Sequence, residues 1–209
     1  MHSVQFFDPI SIPVPRSKIY RRLGYRKNIT RLLPEQKEES ERYIEEARSL
    51  IHLKGAGLRL PVLQTGDSEI ILPGNIRFES RQLALLLKPC REIVLMAATA
   101  GTVIMDAIRE DAAGRDITRG VVLDATASEM TDAALDWIMD YFNRTLRREN
   151  KRLLRKRFSA GYGDFLLENQ KTICDLLQLD RIGVRITESY MLIPEKSVTA
   201  ISGIESLSV

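Results

Sequence analysis

The sequence predicts an α+β fold, a curved, mainly antiparallel sheet flanked by helices, with an N-terminal arm and helix added to it. Three observations support this. Short apolar segments separated by the turn signals Gly66-Asp67 and Pro73-Gly74-Asn75 read as a hairpin or meander. Segments with apolar residues at helical spacing alternate with strand-like ones, the longest between 116 and 156. A chain of 209 residues with 44% hydrophobic content can bury one core, and no internal repeat or low-complexity block divides it. The expected organisation is one unit, 1–209, with the arm and helix in 1–55 and the core in 56–209.

The elements follow in order. Pro9, Pro13 and Pro15 favour an extended arm over a helix in the first fifteen residues, of the kind that packs along a sheet edge. From Pro34 to about Leu53, Tyr43, Ile44, Ala47, Leu50 and Ile51 fall on one side of a helix with proline in its first turn and acids near its positive end. Strands are expected at 57–63, 69–72 and 76–78, a helix at 80–87, and a buried strand over Arg91-Glu-Ile-Val-Leu-Met-Ala-Ala that ends at Gly101. A helix from Thr102 towards Ala112 stops at Gly114. A long helical region, one helix or two, then runs from Asp116 to about Lys156 on a stripe of Ala133, Ala134, Trp137, Ile138, Tyr141 and Phe142. A short helix at 168–177, a strand at 184–187 and a closing strand at 197–201 complete the chain.

Composition narrows the function classes. No apolar run is long enough to cross a bilayer, and Met1-His-Ser-Val-Gln lacks the basic end and apolar centre of a signal peptide, so a soluble, cytoplasmic protein is expected. Cys90 and Cys174 have no metal-ligand spacing and read as buried thiols without a disulfide. A formal charge of +3 does not argue for nucleic acid. Eight cations do cluster between Arg144 and Arg157, interrupted by Leu146, Leu153 and Leu154. They read as the solvated face of an amphipathic helix, a docking surface for an acidic partner, or a basic nucleic-acid-binding module.

The densest chemistry lies in the last third. Arg157-Phe-Ser-Ala-Gly161-Tyr162-Gly163-Asp164 is followed, about 25 residues after Tyr162, by Thr187-Glu188-Ser189-Tyr190-Met-Leu-Ile-Pro194-Glu-Lys-Ser197-Val198-Thr199-Ala-Ile201. A guanidinium, a Gly-Tyr pair and a hydroxyl-rich segment are costly in a pure core, because each polar group needs a partner or water. Together they read as a loop and an opposite wall around a polar, partly aromatic ligand.

In these residues the chain resembles the activation, or reactivation, domain of cobalamin-dependent methionine synthase, with its Arg-x-x-x-Gly-Tyr and later Thr-Glu-Ser-x-x-x-x-Pro-x-x-Ser-Val. Arg157, Gly161 and Tyr162 match the first half, and Thr187, Glu188, Ser189, Pro194, Ser197 and Val198 the second. The clear match runs from about Leu123 to Gly203. Phe158, Ala160 and Leu166 stand where the enzyme-fused form has prolines, so this loop must be ordered by its surroundings or remain looser.

The resemblance implies a groove for S-adenosylmethionine and a role in reductive methylation of cob(II)alamin. Its partners would be a cobalamin-binding methionine synthase or related corrinoid protein and an electron donor such as flavodoxin. A cobalt nucleophile needs no proton removed and a thioether leaves without one, so no acid–base dyad is expected and the protein positions the reactants. Arg157 would grip the ligand carboxylate, and the backbone at Ser159 and Gly161 would run against the adenosine. Tyr162 would close over the ligand or anchor the loop, and Glu129 would face the ligand's cation or be a surface carboxylate beside Asp132. Glu188 and Ser189 would be groove wall or turn caps, and Lys196 a corrinoid contact or an exposed lysine. His2 and His52 lack the Asp-x-His-x-x-Gly context of a corrinoid-holding module, so the cobalamin would come on a partner protein. A docking protein that keeps the fold without the small ligand is the alternative.

Overall fold

The computed structural model describes residues 3–26, 29–31 and 33–207. The proline-spaced start runs extended, and β1 (Gln5–Phe7) adds to the edge of β2 (Lys54–Pro61) as the arm was expected to do. Between them lie α1 (Arg16–Arg22) and α2 (Pro34–Leu50). The first of these has only seven residues and was not anticipated; Ile19 fixes it by full burial in the core. Next come β3 (Gln64–Thr65), β4 (Glu69–Leu72) and β5 (Ile76–Glu79), a small antiparallel meander turned at the expected glycines. Helix α3 (Arg81–Leu87) is capped by the Ser80 hydroxyl, which accepts from the Leu83 N–H at 3.0 Å.

Strand β6 (Glu92–Thr99) is the centre of the fold. Its apolar run is buried on both faces: Val94, Met96 and Ala98 join one core, and Ile93, Leu95 and Ala97 the other. It leads into α4 (Val103–Ala112) and the 30-residue α5 (Ile117–Leu146), whose first turn is capped by Asp116 accepting from the Arg119 N–H at 2.9 Å. Then come β7 (Lys151–Leu153), α6 (Asn169–Leu177), a hairpin of β8 (Arg185–Ile186) and β9 (Leu192–Ile193), and β10 (Ser197–Ser206). The main sheet has the order β1-β2-β6-β10-β7 with every pair antiparallel, and it curls between its helices. Helices α1, α2, α4 and α5 cover one face; α3, α6 and the two small sheets cover the other. Gly55 lets α5 lie close on β2, since a Cβ there would stand 2.6 Å from Ile138 Cδ1.

Two expectations at the sheet edge need correction. The long helix stops at Leu146, and the basic segment after it is not a helix face. Asn150 turns the chain at φ 54°, and the Asn143 side-chain carbonyl accepts from the Leu153 N–H at 2.9 Å. Leu153 packs into the α5 core while Leu154 approaches Gly203 on the other side, the two-residue period of a strand. The final strand is longer than expected and lies inside the sheet, with β7 outside it. The cations are dispersed accordingly: Lys151 pairs with Glu92 and Glu149, Arg152 with Glu205, Arg157 with Asp136, and Arg144 lies over the Tyr141 ring. Among the described residues no helix is long and apolar enough to cross a membrane. Cys90 and Cys174 are buried and unpaired, as expected, and burial pushes both thiols up to about 11.

The edge network has a pH signature. Arg59 holds Glu149 by two hydrogen bonds of 2.6 Å and Glu92 by one of 2.8 Å, and Lys151 bridges the same two carboxylates. The Arg59 guanidinium, then the Lys151 ammonium, hold the Glu149 carboxyl down from 4.5 to about 2. A depressed carboxylate stabilises the fold above its unfolded value and loses that contribution as pH falls through the folded one. Glu149→Gln is therefore expected to be less stable than the parent at pH 6, with most of that gap closed by pH 2. Urea unfolding at the two pH values checks this; a gap undiminished at pH 2 would discard the network as its source.

Candidate ligand groove

After β7 the chain continues along the outer edge of β10. Phe158 and Ile201 exchange backbone hydrogen bonds of 2.9 and 2.7 Å, and the Ser159 hydroxyl donates to the Thr199 carbonyl at 2.7 Å. The loop then folds on itself: Gly161 N–H donates to the Phe165 carbonyl at 2.8 Å and Phe165 N–H to Tyr162 at 3.0 Å, with Gly161 at φ 87°. A glycine suits that left-handed position because it has no Cβ to strain.

The order that prolines would supply comes from tertiary contacts. Phe165 is fully buried, edge-on to Phe78 and beside Phe158. The Asp164 carboxylate accepts from the Ser80 hydroxyl and from the Arg81 N–H at 2.8 Å, at the start of α3. Those donors, the Ser80 hydroxyl first, hold its carboxyl below the usual carboxylate range.

Between this loop, α5, α6 and β10 lies a groove of about 490 Å³, lined among others by Asp132, Arg157, Ser159, Tyr162, Gln170 and Thr199. That is an ordinary size for a small-molecule site. Arg157, Ser159 and Tyr162 of the loop meet there with Ser197, Val198 and Thr199 of the segment read as its opposite wall. Arg157 Nη1 donates to Asp136 Oδ1 at 2.9 Å, and Lys18 reaches Asp136 Oδ2 at 3.2 Å. Lys18 offsets the Asp136 charge, and Arg157 keeps Nε and Nη2 without a protein partner among the described residues. The Tyr162 side chain is 69% exposed at the rim, so no buried hydroxyl anchors the loop. Gly161 shapes the bend behind it, where a Cβ would stand 3.2 Å from Leu167 Cδ1.

The remaining candidates lie elsewhere. Glu129 is buried one helical turn before Asp132 and accepts from Arg22 Nε at 2.7 Å, so its carboxylate is turned towards α1. Glu188 is exposed in the turn between β8 and β9, and Ser189 shares a 2.9 Å hydrogen bond with Thr187 there. Lys196 is drawn into a contact of 2.7 Å with Asp124 and one of 3.0 Å with Ser128 on α5. The groove residues Asp132 and Gln170 were not singled out. Gln170 carried a signal: it occupies the apolar register of α6 with Ile173, Cys174 and Leu177, where an amide needs a reason to be buried.

No protein-family profile matches the chain, and no curated protein matches its sequence. Its fold is that of a solved domain. The crystal structure described as the MetH reactivation domain bound to AdoHcy superposes with a TM-score of 0.65 at 15% identity, over 96% of this chain and 78% of that one. At that identity the likeness is one of architecture: an α+β chain with the fold of the MetH reactivation domain.

Proposed function

We propose that the groove binds an S-adenosylmethionine-type ligand and that the chain presents its methyl group to a cobalamin held by a partner protein. It would thus act as a free-standing reactivation component of a cobalamin-dependent methionine synthase, with an electron donor such as flavodoxin. The observation that carries the reading is Arg157, with a free guanidinium edge, lining a groove beside Ser159 and Tyr162 in a fold whose solved counterpart was crystallised with AdoHcy. The residues suit such a ligand. Arg157 matches its carboxylate, Asp132 its ammonium or sulfonium, and the exposed Tyr162 ring can face either the cation or the adenine. The cobalamin supplies the nucleophile, and the work left to this chain is to hold the ligand with its methyl open to the groove mouth. Arg157 and Ser159 serve that purpose.

Calorimetry tests the proposal. The parent chain is expected to bind S-adenosylmethionine, and Arg157→Ala to bind it at least tenfold more weakly, the size expected for loss of a charge-assisted carboxylate contact. Equal binding by both forms would take Arg157 out of the site. One observation favours a second reading: Asp136 already pairs with Arg157, as it would in a protein that keeps the fold for docking alone. Such a protein would form a complex with a corrinoid methyltransferase and ignore S-adenosylmethionine.

A further inference from the structure

Gln170 lies at the start of α6, is buried, and lines the groove. The buried Thr199 hydroxyl on β10 donates to its Oε1 at 2.8 Å, which fixes the carbonyl side of the amide against the sheet. Thr199 is held in turn, its own carbonyl accepting from Ser159. The amino side, Nε2, has no protein partner among the described residues, yet the one fully buried side-chain polar atom without a partner among them is Asp111 Oδ1. Nε2 is therefore reached from open space, and the groove is the space that Gln170 lines. The result is an amide with one end clamped and two N–H donors presented in a recess.

A neutral, oriented donor selects what it can read. A sulfonium and an ammonium are cationic, and an exocyclic adenine amine has its lone pair drawn into the ring, so none of them accepts its hydrogen bond. A carboxylate would accept from it, but Arg157 competes for that group with a full charge. What remains on such a ligand are the ring nitrogens of the purine and the ribose oxygens. We infer that Gln170 is a specificity-determining residue of the groove, donating through Nε2 to a neutral acceptor on the nucleoside half of the ligand, with Thr199 as the residue that orients it. The inference rests on the groove being an S-adenosylmethionine-type site and divides it into a charged end read by Arg157 and a nucleoside end read by Gln170. Donors built into a recess discriminate strongly, because they are left unpaired by a ligand that lacks the acceptor.

Calorimetry with two ligands tests it: S-adenosylmethionine, and methylthioadenosine, which keeps the nucleoside and lacks the amino-acid portion. Gln170→Glu retains an oxygen for Thr199 and replaces the donor with an acceptor; it is expected to weaken both ligands at least tenfold. Arg157→Ala is expected to weaken S-adenosylmethionine and leave methylthioadenosine unchanged. Thr199→Val, which lets the amide turn, should weaken both by a smaller factor. Gln170→Met, of similar length and without a donor, gives the same reading should the glutamate form not fold. Parental affinity of the Gln170 variants for methylthioadenosine would overturn the inference, as would a loss confined to S-adenosylmethionine. A parent chain that binds neither ligand would instead remove the proposed function and this inference with it.

Discussion

Replacing Arg119 by methionine is expected to destabilise the chain by about 3–5 kcal/mol, the cost of leaving a buried charge without its partner. The charge is Asp111, 1% exposed at the end of α4, whose Oδ2 accepts from Arg119 Nη1 on the facing turn of α5. Oδ1 has no partner among the described residues, so the carboxylate depends on the guanidinium. The two helices are in close contact there, since a Cβ on Gly120 would meet Asp111 Cβ at 2.8 Å. Arg119 also holds Glu46 of α2 at 2.8 and 3.2 Å, tying three helices together. Glu46 is only half-buried, and Glu46→Gln is expected to cost no more than about 1 kcal/mol. Urea unfolding of the two variants, with Arg119→Met/Asp111→Leu as a third, gives the comparison. The double variant should recover most of the loss, because removing both charges removes the desolvation cost with the attraction. A loss below about 1 kcal/mol in Arg119→Met would show that the buried Asp111 carboxylate does not depend on it.

Where the fold was legible in sequence, one residue type admitted one physical solution. The run from Ile93 to Ala98 could only be a strand covered on both faces, Ser80 and Asp116 stand where helix caps are needed, and Pro73-Gly74-Asn75 could only turn. The end of α5 was not legible, because arginine and leucine suit a helix as well as an edge strand. The decision fell to Asn150 and to which side of the sheet Leu153 and Leu154 could fill. The groove was half legible. Arg157, Ser159 and Tyr162 come from one short loop, so local sequence kept them together. Its other wall takes Ser197, Val198 and Thr199 from a segment the sequence marked, whereas Asp132 on α5 follows a helix register that no local pattern reports. Register turns Glu129 towards Arg22 while Asp132, one turn on, lines the groove.

Phe165→Ala is expected to cost about 3–5 kcal/mol, as do other truncations of a fully buried phenylalanine, and to take ligand binding with it. The ring fills the space between Phe78 of β5, at 5.3 Å, and Phe158, at 6.2 Å. Phe158 is the residue that bridges to Ile201 and sets Ser159 on the Thr199 carbonyl. Removing the ring leaves a cavity behind the loop and frees Phe158 to fill it, which draws Arg157 and Ser159 off the groove wall. The neighbouring Leu166, 60% exposed, is the control: Leu166→Ala should change stability by no more than about 0.5 kcal/mol. Phe165→Leu keeps part of the volume and should fall between the two. Thermal unfolding separates these three, and calorimetry on the folded fraction at low temperature reads the groove. Undiminished S-adenosylmethionine binding by folded Phe165→Ala would mean that the Asp164 contacts with Ser80 and Arg81 hold the loop alone. Proportional loss of stability and affinity across alanine, leucine and parent would mean that the core behind the loop sets the geometry of the site in front of it, the role that proline holds where a loop is stiffened from within.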